Sequence, residues 1–124
     1  MFIPPYLFFG GVCEAAVEFY RRAVGAEVKL LVRNKDAPDA PPPSRVRPGS
    51  ENKILHVTLQ IGDSQLLASD GYCRGKPDFQ GFSLSLPLPL PGPAEAERAF
   101  AALSEGGKVD MPLAQSFLSK SFGC

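Results

Sequence analysis

The sequence predicts an α+β fold, and three patterns predict it. Lys53–Ile61 alternates, with Leu55, Val57, Leu59 and Ile61 on one face and His56, Thr58 and Gln60 on the other. Gly62-Asp63 then turns the chain back along Gln65–Ser69, the mark of a β-hairpin. Two other segments carry apolar residues at three- and four-residue spacing and end on glycine, as amphipathic helices do. Finally, the order strand, helix, glycine, strand occurs twice. Glu14, Ala15, Phe19, Gly25 and Val28 fall on Glu95, Ala96, Phe100, Gly106 and Val109 at one constant offset. Two accounts of that match stand side by side. One is a duplicated βαβββ unit. The other is the habit of helices to contain Ala and Glu and to end in Gly.

The elements follow in chain order. Tyr6–Phe9 is short, apolar and bounded by Pro4-Pro5 and Gly10-Gly11, which predicts a strand. Cys13, Ala16, Val17, Tyr20 and Val24 form a helical stripe with Gly25 at the C-cap. Glu27–Arg33 is a second strand. Asn34–Asn52 is a long polar loop around Pro41-Pro42-Pro43 and Pro48-Gly49; proline lacks the amide donor a sheet ladder needs. A loop of this length is a lid, an arm over a neighbouring subunit, or disordered. After the hairpin, Asp70–Gln80 is a loop, and Phe82–Leu86 alternates as a strand until Pro87. A helix starts at Pro93, with Ala96, Ala99, Phe100 and Leu103 as its apolar stripe, and ends at Gly106-Gly107. Lys108–Leu113 is predicted as a strand, and Ser116–Phe122 as the start of another.

Composition excludes several function classes. The chain has 124 residues, 44% hydrophobic and 21% charged, which suits one domain. Lys plus Arg is 13 and Asp plus Glu is 13, so no basic excess favours a phosphate backbone. No apolar run approaches the ~20 residues that span a bilayer. The N-terminus has no basic region and carries prolines where a signal peptide has its apolar stretch. Three cysteines do not make a disulfide framework. The expectation is a cytoplasmic protein with reduced thiols, and neither nucleic acid nor membrane as partner.

Three blocks then carry a resemblance: PYLFFGGVCEAAVEFYRRAVGAE (5–27), ENKILHVTLQIGDSQLLASDGY (51–72) and AFAALSEGGKVDMPLAQSF (99–117). They resemble the PhnB-like branch of the vicinal oxygen chelate superfamily, also labelled 3-demethylubiquinone methyltransferase-like. Glyoxalase I, bleomycin-resistance proteins and extradiol dioxygenases belong to the same superfamily. The resemblance implies paired βαβββ modules forming a curved mixed sheet around a cavity, usually in a homodimer. Module one would run from about residue 1 to 70 and module two from about 79 to 124. The last strand of the family falls beyond Cys124, so module two is expected to be incomplete. Either the chain is cut there, or a partner subunit covers the open edge. No glycine-rich strand–turn–helix supports the methyltransferase label.

The same resemblance sets the search for chemistry. Metal-binding members hold one divalent ion with His, Gln and Glu side chains from four strands, leaving room for two vicinal substrate oxygens. Here the first-strand position falls on Pro5 and the fifth-strand position near Gly81. The fourth-strand acidic position falls near Leu67–Ser69, with Asp70 close by at the opposite parity to Ser69. The remaining position lies beyond Cys124. No cofactor is therefore expected; a divalent metal stays possible, but the usual ligand positions are not met.

His56, the single histidine, is the candidate catalytic residue. Its strand parity places it opposite the apolar face, beside Thr58 and Gln60, on the side where the resemblance puts the cavity. An imidazole there is a general acid or base near neutral pH, a pocket-shaping side chain, or a metal ligand. Leu7, Phe9, Ser83 and Ser85 are expected to face the same cavity, with Ser69 and Tyr72 completing the ligand-binding set. Tyr6, Phe8, Phe19, Tyr20 and Phe100 are expected to form core. Cys73 beside Arg74 is a candidate reactive thiol, whereas Cys13 reads as buried and inert. A small, mostly apolar ligand bound without metal is the favoured function. A metal-dependent glyoxalase- or dioxygenase-like enzyme with atypical ligands is the alternative, and an inactive paralogue the third reading.

Overall fold

The computed structural model describes residues 1–38, 48–71, 73, 83–85, 93–117 and 120–124. The chain divides into two compact units, Met1–Gln80 and Gly81–Cys124.

The first unit is one βαβββ module. Strand β1 (Tyr6–Phe8) leads into helix α1 (Cys13–Val24), followed by β2 (Glu27–Arg33), β3 (Ile54–Ile61) and β4 (Ser64–Ser69). The strands form one mixed sheet in the order β1-β4-β3-β2. β1 pairs parallel with β4, and β4–β3 and β3–β2 are antiparallel. The β3–β4 hairpin closes through a two-residue loop, with Ile61 opposite Ser64 and Gly62 at φ +58°. Only glycine adopts that conformation without steric cost.

Helix α1 covers one face of this sheet. Cys13 and Val17, one turn apart, are buried with Leu7, Ile54, Val57, Leu59, Leu66 and Ala68, while Phe9, Tyr20, Leu31 and Ile61 pack against that cluster. The helix ends as its sequence predicts: Gly25 is left-handed at φ 68°, and its amide donates to the Arg21 carbonyl. Glu14 in the first turn and Arg21 and Arg22 in the last complement the helix dipole.

Two features of the sheet depart from the alternation expected. Between β2 and β3 the register runs Val32 to His56, then Arg33 to Ile54, so Leu55 is a bulge. Ile54 therefore takes the core position expected of Leu55. In β1, Leu7 lies opposite Ala68 and enters the core, while Tyr6 and Phe8 are 42% and 53% exposed on the far face. The expected parity of β1 is reversed. Cross-strand partners set which side chains turn inward, not the size of the side chains, because a one-residue change flips every one of them.

The ends of the long loop are stitched together. Asn34 and Lys35 amides donate to the Lys53 and Glu51 carbonyls, and the Asn34 side-chain amide donates to the Ser50 carbonyl at 2.9 Å. Pro41-Pro42-Pro43 lies outside the described residues.

The second unit contains α2 (Pro93–Ser104), whose predicted stripe Ala96, Ala99, Phe100 and Leu103 is half-buried. Among the described residues Lys108–Leu113 forms no strand. Pro112 has no amide to offer; Ala114 pairs with Phe122, and Asp110 and Met111 bond to Cys124. Gly123 lies under the Phe100 ring, where a Cβ would come within 2.7 Å of it. Ser83–Ser85 likewise is no strand, and the rest of the predicted Phe82–Leu86 strand lies outside the described residues. The described residues thus hold one complete module and not two.

Candidate functional site

The sheet face turned away from α1 carries the polar chemistry. β3 projects His56 and Thr58 there, two residues apart, and the β1 parity adds Tyr6 and Phe8. The Tyr6 hydroxyl lies 2.8 Å from His56 Nδ1, and His56 Nε2 lies 3.0 Å from Thr58 Oγ1. Both ring nitrogens are thus engaged. Tyr6 and Phe8 stack at 5.0 Å between centroids and 11° between planes, and Tyr6 meets the His56 ring edge-on at 5.5 Å. These contacts hold the three rings against one another, two stacked and the third edge-on. Burial raises the Tyr6 phenol above its usual range, a hydrogen bond from the Ser69 side chain opposes that rise, and the nearby Cys13 adds to it. Ser69 is itself buried, and its hydroxyl accepts the Gly71 amide at 2.8 Å.

Asp70, one residue on, turns to the opposite side. It is buried, and its carboxylate accepts three backbone amides: Gly11 at 2.8 Å and Cys13 at 2.9 Å on Oδ1, and Ile54 at 2.8 Å on Oδ2. Val12, at the N-cap of α1, makes no side-chain cap hydrogen bond. Asp70 supplies that cap from 57 residues away and ties it to the first residue of β3. Cys13 sits over this carboxylate. Burial first, then Asp70 and Glu14, push its thiol up to about 12. It is inert as a nucleophile at neutral pH.

Among the described residues, side chains do not converge as the four-ligand metal site of the superfamily requires. Both His56 nitrogens and both Asp70 oxygens have other partners, and the two residues lie on opposite faces of the sheet. Among the described residues no three His, Cys, Asp or Glu side chains converge.

Of the expected site residues, the structure brings together His56, Thr58 and Ser69. Gln60 shares their face but turns its amide to the Gly62 carbonyl at 2.8 Å. Leu7 and Phe9 lie with the core instead, for the register reason given above. Ser83 and Ser85 are exposed residues of the second unit. Tyr72 and Arg74 lie outside the described residues. Cys73 is buried, at φ 55°, with its amide bonded to the Asp70 carbonyl. Sequence reasoning missed Tyr6 and Phe8. No local signal separates the two parities of this short apolar strand, because the pairing of Leu7 with Ala68 decides it.

A cleft of about 530 Å³ lies on the other face, between α1 and β2, floored by Val17, Ala26, Val28 and Leu31. Its charged rim is internally paired: Arg33 grips Glu14 at 2.7 and 3.2 Å, and Arg21 holds Glu18 at 2.9 Å. Among the described residues no nucleophile, imidazole or unpaired carboxylate converges on its floor. The open face, not this cleft, carries the candidate site.

These features define a class: an α+β protein whose complete βαβββ module is of the vicinal oxygen chelate type. The comparisons agree. The chain is 30% identical to Protein YjdN of Escherichia coli (strain K12) over 126 residues, covering 98% of this chain and 84% of that one. It belongs to the PhnB-like family that YjdN represents. The crystal structure of protein PA1353 from Pseudomonas aeruginosa matches with a TM-score of 0.76 and 35% identity, over 99% of this chain and 86% of that one. A putative 3-demethylubiquinone-9 3-methyltransferase, PhnB protein, from Bacillus cereus shares the fold: TM-score 0.64 at 24% identity, over 98% and 87% of the two chains. No family model matches the chain. No helix among the described residues is long and apolar enough to cross a membrane.

Proposed function

We propose that this protein binds a small, mostly apolar molecule on the open face of the β1-β4-β3 sheet, without the usual metal of the superfamily. The observation that carries the reading is the half-exposed Tyr6–Phe8 stack beside the Tyr6–His56–Thr58 hydrogen-bond chain. Large aromatic surface with a few convergent polar groups suits a small ligand and orients it. Formal charge is zero over the whole chain, so no long-range field selects a highly charged ligand. His56 contacts the ligand through the groups it positions, since both its nitrogens are already hydrogen-bonded.

The test is a screen of small aromatic compounds by NMR, with the isotope-labelled side chains of Tyr6, Phe8 and His56 as reporters. Expected are shifts of these three signals on adding hits, with Phe8→Ala abolishing them. Hits that bind saturably yet leave all three signals unmoved would overturn the reading. So would reporters that respond only to protein concentration, since that would make a second copy the occupant.

A further inference from the structure

Resting on the reading of the open face as a ligand site, we propose that Tyr6 fixes the tautomer of His56 so that the Thr58 hydroxyl becomes the donor offered to the ligand. The ligand's polar group at that point is then an uncharged acceptor, of the carbonyl class, on a planar apolar body.

Two directions satisfy the two contacts of His56. In one, the Tyr6 hydroxyl donates to Nδ1, and Nε2–H donates to Thr58 Oγ1. In the other, every arrow is reversed, and the Tyr6 hydroxyl hydrogen is left over. A phenol is the stronger donor and the poorer acceptor of the two hydroxyls, because its lone pair is drawn into the ring and its proton is far more acidic. The unprotonated imidazole nitrogen is the best acceptor of the set. Pairing phenol O–H with Nδ1, and Nε2–H with the aliphatic hydroxyl, matches strong with strong.

In this direction the Tyr6–His56–Thr58 chain ends on the Thr58 hydroxyl hydrogen. Thr58 lies opposite Leu67, which lies opposite Tyr6, and the Tyr6 ring stacks on Phe8. Nothing there favours an ionised group; a buried neutral acceptor on an aromatic body satisfies the donor without desolvating a charge.

The chain holds a single histidine, so its ring nitrogens are read without ambiguity. Nitrogen NMR of the ligand-free protein at about pH 8, above the ordinary imidazole range, is expected to show Nε2–H with Nδ1 accepting a hydrogen bond. Tyr6→Phe, which keeps the ring, is expected to move the Nδ1 resonance toward that of a free pyridine-type nitrogen. An Nδ1–H tautomer, or an Nδ1 resonance unmoved in folded Tyr6→Phe, overturns the chain. The ligand class is read with acetophenone and ethylbenzene, which differ by the carbonyl. Thr58→Val is expected to weaken acetophenone about three- to tenfold and to leave ethylbenzene unchanged. Equal effects on both probes overturn the acceptor assignment. If neither probe binds the unaltered protein, the ligand site itself fails, whereas the tautomer measurement still judges the chain.

Discussion

Asp70→Asn is the sharpest single perturbation this structure offers. The carboxylate collects three backbone amides in a buried site: Gly11 and Cys13 on one oxygen, Ile54 on the other. Asparagine has nearly the same shape but only one acceptor oxygen. Turned to keep Gly11 and Cys13, it points its amino group at the Ile54 amide, donor against donor. The two retained bonds lose their charge assistance, about 1 kcal/mol apiece, and the orphaned Ile54 amide costs about 1–3 kcal/mol. The expected destabilisation is about 3–5 kcal/mol, a large share of the 5–15 kcal/mol typical of a domain. The chain has no tryptophan, so the assay is urea unfolding followed by far-UV circular dichroism, reading the midpoint and slope together. A loss below about 1 kcal/mol with unchanged slope would refute the idea that this carboxylate pins α1 to β3.

Three further outcomes are expected. The Cys13 thiol is raised from 9.0 to about 12, so above pH 9 the unfolded chain releases a proton that the folded chain keeps. Stability is then lost at up to about 1.4 kcal/mol per pH unit between pH 9 and about 12, and Cys13→Ala, measured by unfolding across that range, removes this slope. Gly71→Ala and Gly62→Ala both place an L-residue at φ +58°, but only at Gly71 does the new Cβ meet the Phe8 ring, at 3.2 Å. Each is expected to cost about 1–2 kcal/mol for the backbone, with Gly71→Ala the worse in thermal unfolding and alone in disturbing the Tyr6–Phe8 ring signals. Glu14 is held below the usual carboxylate range by the hydrogen bond and then the charge of Arg33. Its contribution is complete above the ordinary Glu range and is lost as pH falls through the lowered value. The loss is small, since the pair is largely exposed, and a melting-temperature profile of Arg33→Gln lacks it.

Much of the module was legible in the chain. The α1 stripe and its Gly25 cap, the β2 span and the Gly62-Asp63 hairpin are local patterns, set by residues within a turn or two of each other. The reach of His56 toward the face of Thr58 followed from the same alternation. The errors fell where a partner strand decides. Leu55 yielded its core place to Ile54 because the register against β2 slips there, and nothing inside β3 announces that slip. Tyr6 and Phe8 turned outward because Leu7 aligns with Ala68 of β4, some 60 residues away. Lys108–Leu113 read as a strand on its apolar residues, yet Pro112 within it breaks the ladder.

The sequence by itself determined the α+β class and the family, because periodicity and turn chemistry are properties of the chain as written. Tertiary structure alone decided that Asp70 caps α1, and that Tyr6 meets His56. Both depend on which distant backbone a short polar or aromatic side chain reaches. That reach is settled by strand register and by the helix crossing over the sheet, which emerge only when the core at Leu7, Cys13, Val17 and Val57 closes.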